Sequence, residues 1–305
     1  MNDRLRFAGS VHPKARSIVP AMQSAALKAL GLPHTYEEIE VPNSTRLAAF
    51  VDALRQGVYA GVNIGPPHKR AVIELVDRVD GTANRIGAAN TLVRSGGGIT
   101  AHDTETAGLV DDLRALGAVG RTALIIGSGG GATAAVVACK ELGAQLIAIT
   151  ARAWSCSEAL ATSPIAEHFR ELGALPCIWP VVGAAQSSSS RQSDALRLQV
   201  ADVAAGASII IQATSAGMRG ADPGGTIAAM IPWNRISRDA LAYDLVYNPP
   251  VTPFLQAARE RGVRAVNGLG MLAHQGAHAL ALWLKVTPDV EIMRLSAVKA
   301  LSGRE

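Results

Sequence analysis

The stretch TALIIGSGGGATAAVVACKELGAQLIAIT, residues 122–150, limits what this chain can fold into more than any other segment. An apolar run rich in Ile meets a glycine cluster. An apolar pattern at helical spacing follows, closed by Gly143, and then a second apolar run. That is strand, tight turn, helix and strand, a βαβ unit. Its turn, Gly127-Ser128-Gly129-Gly130-Gly131-Ala132, matches G-x-G-x-x-A at the required place between strand and helix. The first glycine permits the tight turn and the second lets the backbone approach a pyrophosphate. The small third residue allows close helix–strand packing, and the helix N-terminus faces the phosphates. An unrelated glycine turn is the competing reading; the βαβ context favours a dinucleotide.

The rest of the chain extends this grammar. ASIIIQATS and ALAYDLVY continue a parallel sheet, and between the strands GAAQSSSSRQSDA (183–195) reads as a polar surface loop. Before the βαβ unit, AMQSAALKALGL and RLAAFVDALRQG are amphipathic helices stopped at Gly31 and Gly57, GVNI is a short buried strand, and KRAVIELVDRVDG reads as a further helix. The last 38 residues, from Gly268, are mainly helical, which suggests that the chain returns to pack on its first domain. With 305 residues, 49% of them hydrophobic, the chain suits two domains.

Composition excludes several classes. Aromatics are 4% and no Lys/Arg run accompanies the net charge of +4, so neither a nucleic-acid platform nor a membrane patch is indicated. That balance fits a mildly basic enzyme with anionic substrates. Cys139, Cys156 and Cys177 have neither disulfide nor zinc spacing. The N-terminus has no apolar core of a signal peptide, so the expected compartment is the cytoplasm, and the Asn43-Ser44-Thr45 sequon is read as a turn. His274 and His278 stand four apart on one helix, a metal-ligand spacing, but no third ligand joins them, and packing with hydrogen bonding is preferred.

The strand after the glycine turn ends Ala151-Arg152-Ala153, with no acid to hold a ribose 2′-hydroxyl. Arg152 suits a 2′-phosphate instead, so NADP is favoured over NAD, with NAD still possible.

Six stretches, in order and in spacing, resemble the shikimate/quinate dehydrogenase family: NIGPPHK (63–69), GAANTL (87–92), DTETAG (103–108), QATSAGM (212–218), YDLVYNPPVTPFL (243–255) and GLGMLAHQGAHALALW (268–283). The resemblance implies an α/β protein of two domains with the substrate in the cleft. An N-terminal α/β substrate domain (1–104 plus 273–305) would join a Rossmann-type, doubly wound NADP-binding domain (105–272), with C-terminal helices packing back on the first. It implies reversible reduction of a cyclic keto acid, 3-dehydroshikimate-like, to its shikimate-like alcohol. Quinate or another ring hydroxy acid is the alternative substrate, and a catalytically weak dinucleotide-binding sensor the alternative of another class. A monomer or homodimer is expected.

Residue by residue, the resemblance places Lys69 as the catalytic lysine and Glu105 at the catalytic acid, where the family has aspartate. It assigns Ser17, Asn63, Asn90, Tyr247 and Gln275 to the substrate, and Thr214, Leu245, Gly268 and Met271 to the cofactor side. Departures cluster on the substrate side. Val19 replaces a carboxylate-binding serine and Gly65 a threonine. On the cofactor side the asparagine before Arg152 is Ala151, and a basic residue is replaced by Cys156.

A lysine beside a carboxylate suits this chemistry: the ammonium hydrogen-bonds the reacting oxygen and stabilises its charge, while the carboxylate orients lysine and substrate hydroxyl. Lysine occurs only at positions 14, 28, 69, 140, 285 and 299, arginine being the usual surface cation; lysine changes protonation state where arginine cannot. Read alone, Lys69 would be a solvated residue after GPPH. Asp103 is the rival acid; in an extended segment it would face or crowd Glu105 and raise its pKa. His68 and His102 flank the pair in sequence and are candidates for local proton traffic.

Overall fold

The apolar runs assemble into two six-stranded sheets, each the centre of its own unit. The computed structural model describes residues 4–13, 17–118, 121–180 and 200–303, so the serine-rich stretch 183–195 lies outside the described residues. One unit comprises Met1–Asp111 with Gly270–Glu305, the other Asp112–Leu269. Among the described residues no helix is long and apolar enough to cross a membrane.

The first unit runs β1 (Arg6–Val11), α1 (Val19–Ala29), β2 (Thr35–Glu40), α2 (Ser44–Arg55), β3 (Gly61–Asn63), β4 (Arg78–Val79), α3 (Gly81–Ile86), β5 (Thr91–Ser95), β6 (Gly98–His102) and α4 (Thr104–Ala115). Its sheet order is β2-β1-β3-β5-β6-β4. The β1, β2 and β3 strands pair in parallel, whereas β5 is antiparallel to both β3 and β6. The α2 helix starts where the Asn43 side chain accepts from the Arg46 N–H, so the sequon is a helix cap. It buries Leu47, Phe50, Val51 and Leu54 at three- and four-residue spacing against Val62, Leu92 and Ile99 of the sheet.

One expected helix does not form. KRAVIELVDRVDG breaks into a 3₁₀ turn at Ala71–Leu75, the short β4 and the start of α3. The break follows from competing partners. Ile99 N–H donates to the Asp77 carboxylate, and Arg78 and Val79 pair with Thr100 and Ala101. The apolar residues still pack on the core, but as a turn and an edge strand.

The second unit carries β7 (Thr122–Ile126), α5 (Gly130–Glu141), β8 (Leu146–Thr150), α6 (Ser157–Ala161), α7 (Pro164–Glu171), β9 (Leu175–Cys177), α8 (Val200–Gly206), β10 (Ile209–Gln212), α9 (Gly225–Met230), β11 (Leu241–Asp244), α10 (Pro253–Glu260) and β12 (Arg264–Asn267). The order β12-β11-β10-β7-β8-β9 is parallel throughout, with the turn at β7 where the winding reverses. This is the doubly wound nucleotide-binding arrangement, in which ligands sit outside the carboxyl ends of the strands at that reversal. Its strands are apolar on both faces, as a sheet covered on both sides requires: Ala123, Leu124, Ile125 and Ile126 are fully buried.

The chain then adds α11 (Leu269–Leu284) and α12 (Val290–Ser302) to the first unit. Trp283 of α11 stacks on Phe7 of β1 with ring centroids 4.9 Å apart, and its indole N–H donates to the Leu92 carbonyl at 3.0 Å. Ser296 of α12 donates to the Ala21 carbonyl of α1 at 3.0 Å. The C-terminal helices thus pack back on the sheet and helix with which the chain begins.

Candidate active site

In the first unit, Lys69 and Glu105 form an ion pair between Nζ and Oε1. Segment 87–92 holds both ends of it. Ala89 N–H donates to the Lys69 carbonyl at 2.8 Å, fixing the turn after β3 that carries the lysine. Asn90 fixes the start of α4: its Oδ1 accepts from Thr104 N–H at 2.8 Å, and its Nδ2 donates to Thr104 Oγ1 at 3.0 Å. The two side chains keep 25% and 19% of their surface exposed, so the pair remains reachable by a ligand.

Glu105 lies in the first turn of α4 rather than in an extended segment, because Asp103 caps that helix. Its carboxylate accepts from Glu105 N–H at 3.2 Å and Thr106 N–H at 3.0 Å. Burial, and then the charge of Glu105, push the Asp103 carboxyl up to about 6.

The flanking histidines are engaged elsewhere. His68 is buried with Nε2 2.7 Å from the Val41 carbonyl, and His102 Nδ1 sits 2.6 Å from Asp80. His278 Nε2 lies 2.7 Å from Asp111, linking α11 to α4, and no group of three metal-ligating side chains occurs among the described residues.

Around the pair, the Asn63 and Asn90 amides, assigned to the substrate, also join an internal network. Asn63 Oδ1 accepts from the buried Tyr36 hydroxyl at 2.9 Å, and its Nδ2 donates to the Asn90 carbonyl at 3.2 Å and to Thr91 Oγ1 at 3.0 Å. Ser17 Oγ accepts from Val19 N–H at 3.0 Å, where Val19 begins α1. Gly65 is demanded by space. A Cβ there would stand 2.6 Å from the Ser10 carbonyl oxygen, and Gly65 N–H donates to Ser10 Oγ at 2.8 Å. Ser10 therefore brings a hydroxyl beside Gly65, a contact 55 positions apart in sequence that sequence reasoning does not reveal. Gln275 sits on α11 beside α4, since a Cβ on Gly108 would approach Gln275 N to 2.6 Å. Met271 is also on α11, and Tyr247 follows β11 in the second unit.

In that second unit Gly127, Thr214, Leu245 and Gly268, all assigned to the cofactor side, follow the carboxyl ends of neighbouring strands. Gly127 has φ +129°, and a Cβ on it would meet the Ala213 carbonyl at 2.8 Å and Thr214 Cγ2 at 3.2 Å. Only glycine takes that conformation with so close a neighbour. A Cβ on Gly131 would reach Leu245 Cδ1 at 2.9 Å, and one on Gly268 would collide with the Leu245 carbonyl, so all three glycines allow close packing. Gly129, the cap of α5, has open space above it and no side chain to accept from the first helical N–H groups. Those donors at a helix N-terminus are what a pyrophosphate takes. Ser128 and Gly130 flank that cap, Ala132 is buried behind it, and Arg152 follows β8 on the surface. Behind Leu245 lies a buried network: Gln212 Nε2, Val246 N–H and the Thr252 hydroxyl all donate to Asp244, whose carboxyl burial raises to about 7.

Two protein-family descriptions match the chain: shikimate dehydrogenase substrate binding domain over residues 11–92, and shikimate 5′-dehydrogenase C-terminal domain over residues 268–294. The shikimate dehydrogenase (NADP(+)) of Geobacter metallireducens is 35% identical over 301 residues, 95% of this chain and 94% of that protein. The chain belongs to the shikimate dehydrogenase family. Another shikimate dehydrogenase (NADP(+)), from Methanopyrus kandleri, is 33% identical over 95% of this chain and 93% of that protein. The Thermus thermophilus shikimate 5-dehydrogenase, solved with NADP(H) and shikimate, superposes with a TM-score of 0.79 at 32% identity, covering 97% of this chain and all of that one. A ligand-free 5-ketofructose reductase of Gluconobacter gives the same TM-score at 25% identity, over 97% of this chain and 99% of that one. One fold thus carries proteins named for different substrates.

Proposed function

We propose that this protein is an NADP-dependent oxidoreductase that interconverts 3-dehydroshikimate and shikimate. The observation that carries the proposal is the Lys69–Glu105 pair, held from both sides by the segment 87–92 and left partly open. When bound, the dinucleotide supplies or accepts the hydride. The chain manages the proton and the developing charge. Lys69 donates a hydrogen bond to the reacting oxygen and stabilises it as an alkoxide, and Glu105 orients the ammonium. Ser17 and Gln275 are assigned to the polar groups of the ring acid. Asn63 and Asn90 are assigned to the substrate as well, and the network they join fixes the Lys69 turn and the start of α4. Tyr247 is assigned to the substrate side. Gly127 to Ala132, with Thr214, Leu245, Gly268 and Met271, are assigned to the dinucleotide and Arg152 to its 2′-phosphate. The unit with the mixed sheet takes the ring acid, and the parallel-sheet unit takes the dinucleotide.

A second reading, oxidation of quinate or another hydroxy acid, is favoured by Val19 and by Gly65 with its Ser10 neighbour, which change the hydroxyls offered to a substrate.

Lys69→Ala tests the proposal. General acid–base and electrostatic help from one such group is worth about 10²–10⁴ in rate. Turnover of shikimate should fall by that factor while NADPH binding, followed by its fluorescence, stays at the wild-type level. Unchanged turnover in Lys69→Ala would remove the lysine from the chemistry.

A further inference from the structure

Arg152, the cation that the absence of an acid after β8 assigns to the 2′-phosphate, is already engaged. Its Nη1 pairs with Asp222 Oδ2 at 3.0 Å, across 70 positions of sequence. The geometry has a topological meaning. Arg152 follows β8, and Asp222 lies in the segment after β10; these are the two strands that flank β7, whose carboxyl end opens into the glycine turn. The pair therefore joins the loops on either side of the phosphate-binding turn. Asp222 is held in place from its other side. Its Oδ1 accepts from Gly224 N–H at 2.8 Å, and its carbonyl accepts from Gly217 N–H at 2.7 Å. The carboxylate is thus a fixed feature of this loop.

We infer that Asp222 is a cofactor-specificity residue. It neutralises Arg152 when no phosphate is present, must yield the guanidinium to the 2′-phosphate of NADP, and is free to accept a ribose 2′-hydroxyl when NAD is bound. The acid that an NAD site carries at the end of its second strand is missing here. Asp222 brings an equivalent carboxylate to the same guanidinium from a neighbouring loop. A phosphate and a carboxylate compete for the same forked donor, since both take it through paired oxygens. Both partners are substantially exposed, with side-chain exposures of 63% and 37%, and exposed ion pairs are weak. Displacement of Asp222 is thus a modest handicap for NADP rather than a block, and the site is poised between the two cofactors.

The inference rests on assigning the parallel-sheet unit to a dinucleotide, and one experiment separates the two. KM values for NADP+ and NAD+ are measured with shikimate for the wild type, Asp222→Asn and Asp222→Glu, with direct titration of each dinucleotide by calorimetry. Asp222→Asn keeps an acceptor for Gly224 and removes the charge. It should lower KM for NADP+ by about two- to fivefold and raise that for NAD+ by a similar factor. Asp222→Glu keeps the charge and should stay near the wild-type ratio. A cofactor ratio unchanged in Asp222→Asn, or shifted equally by both variants, would overturn the specificity role and leave the dinucleotide assignment standing. Wild-type protein that binds neither dinucleotide would overturn that assignment, and this inference with it.

Discussion

Glu105 and Asp103 share one turn of chain and have different tasks. Asp103 is committed to capping α4, and with two acids so close, the carboxyl that resists ionisation is the more deeply enclosed one. The consequence for stability has a definite sign. The folded carboxyl holds its proton more tightly than the unfolded one. The stability this brings is therefore complete below the ordinary carboxylate range and is lost as pH rises through about 6. Asp103→Asn keeps a capping oxygen and removes the charge. It should raise stability at pH 8 by up to about 3 kcal/mol and leave it unchanged near pH 4. Urea unfolding at the two pH values measures this, and an equal effect at both would show that the charge is not the cause. The role of Asn90 also belongs at this scale. In sequence it stands among residues assigned to the substrate, yet in the fold its amide grips Thr104, one residue before Glu105.

Among the elements, those legible in the sequence were the ones whose local chemistry and tertiary setting agree. The β7–α5–β8 unit is apolar where the sheet is covered, glycine where φ is positive and small where helix meets strand. The α1 and α2 helices stop at glycines for the same reason. The segment 69–81 departs from its helical pattern because the spacing of its apolar residues is also satisfied by a 3₁₀ turn followed by an edge strand. What decides between them is Asp77 and its partner Ile99, 22 positions on. Long-range pairs of this kind, including Ser10 with Gly65 and Arg152 with Asp222, leave no mark in a single sequence. The Ser10 pair makes a prediction for its elements. Gly65→Thr, which restores the residue usual in the family, would place its Cβ against the Ser10 carbonyl, at 2.6 Å in the present backbone. Overpacking of this sort costs about 1–3 kcal/mol. The variant should melt at lower temperature and gain no affinity for shikimate. A tighter-binding variant of undiminished stability would mean that β1 yields easily and that Gly65 is a matter of specificity alone.

For the molecule as a whole, a net charge of +4 without a basic cluster suits a protein whose proposed ligands, a ring carboxylate and a phosphorylated dinucleotide, are both anions. The two sheets divide that work. In the proposed function the parallel one places glycines and strand ends for phosphate, and the mixed one places a lysine and a glutamate for proton chemistry. Substrate identity is the property that the departures in sequence bear on, because Val19, Gly65 and Glu105 differ from the family on one side of the reaction only. The measurement that meets it most directly is NADPH formation from NADP+ with millimolar shikimate, run beside quinate and repeated with NAD+. The account predicts turnover of shikimate that exceeds turnover of quinate, and is faster with NADP+ than with NAD+. Binding of NADP+ without turnover of shikimate would contradict it and mean that the ring-acid site has been rebuilt for another hydroxy-ketone.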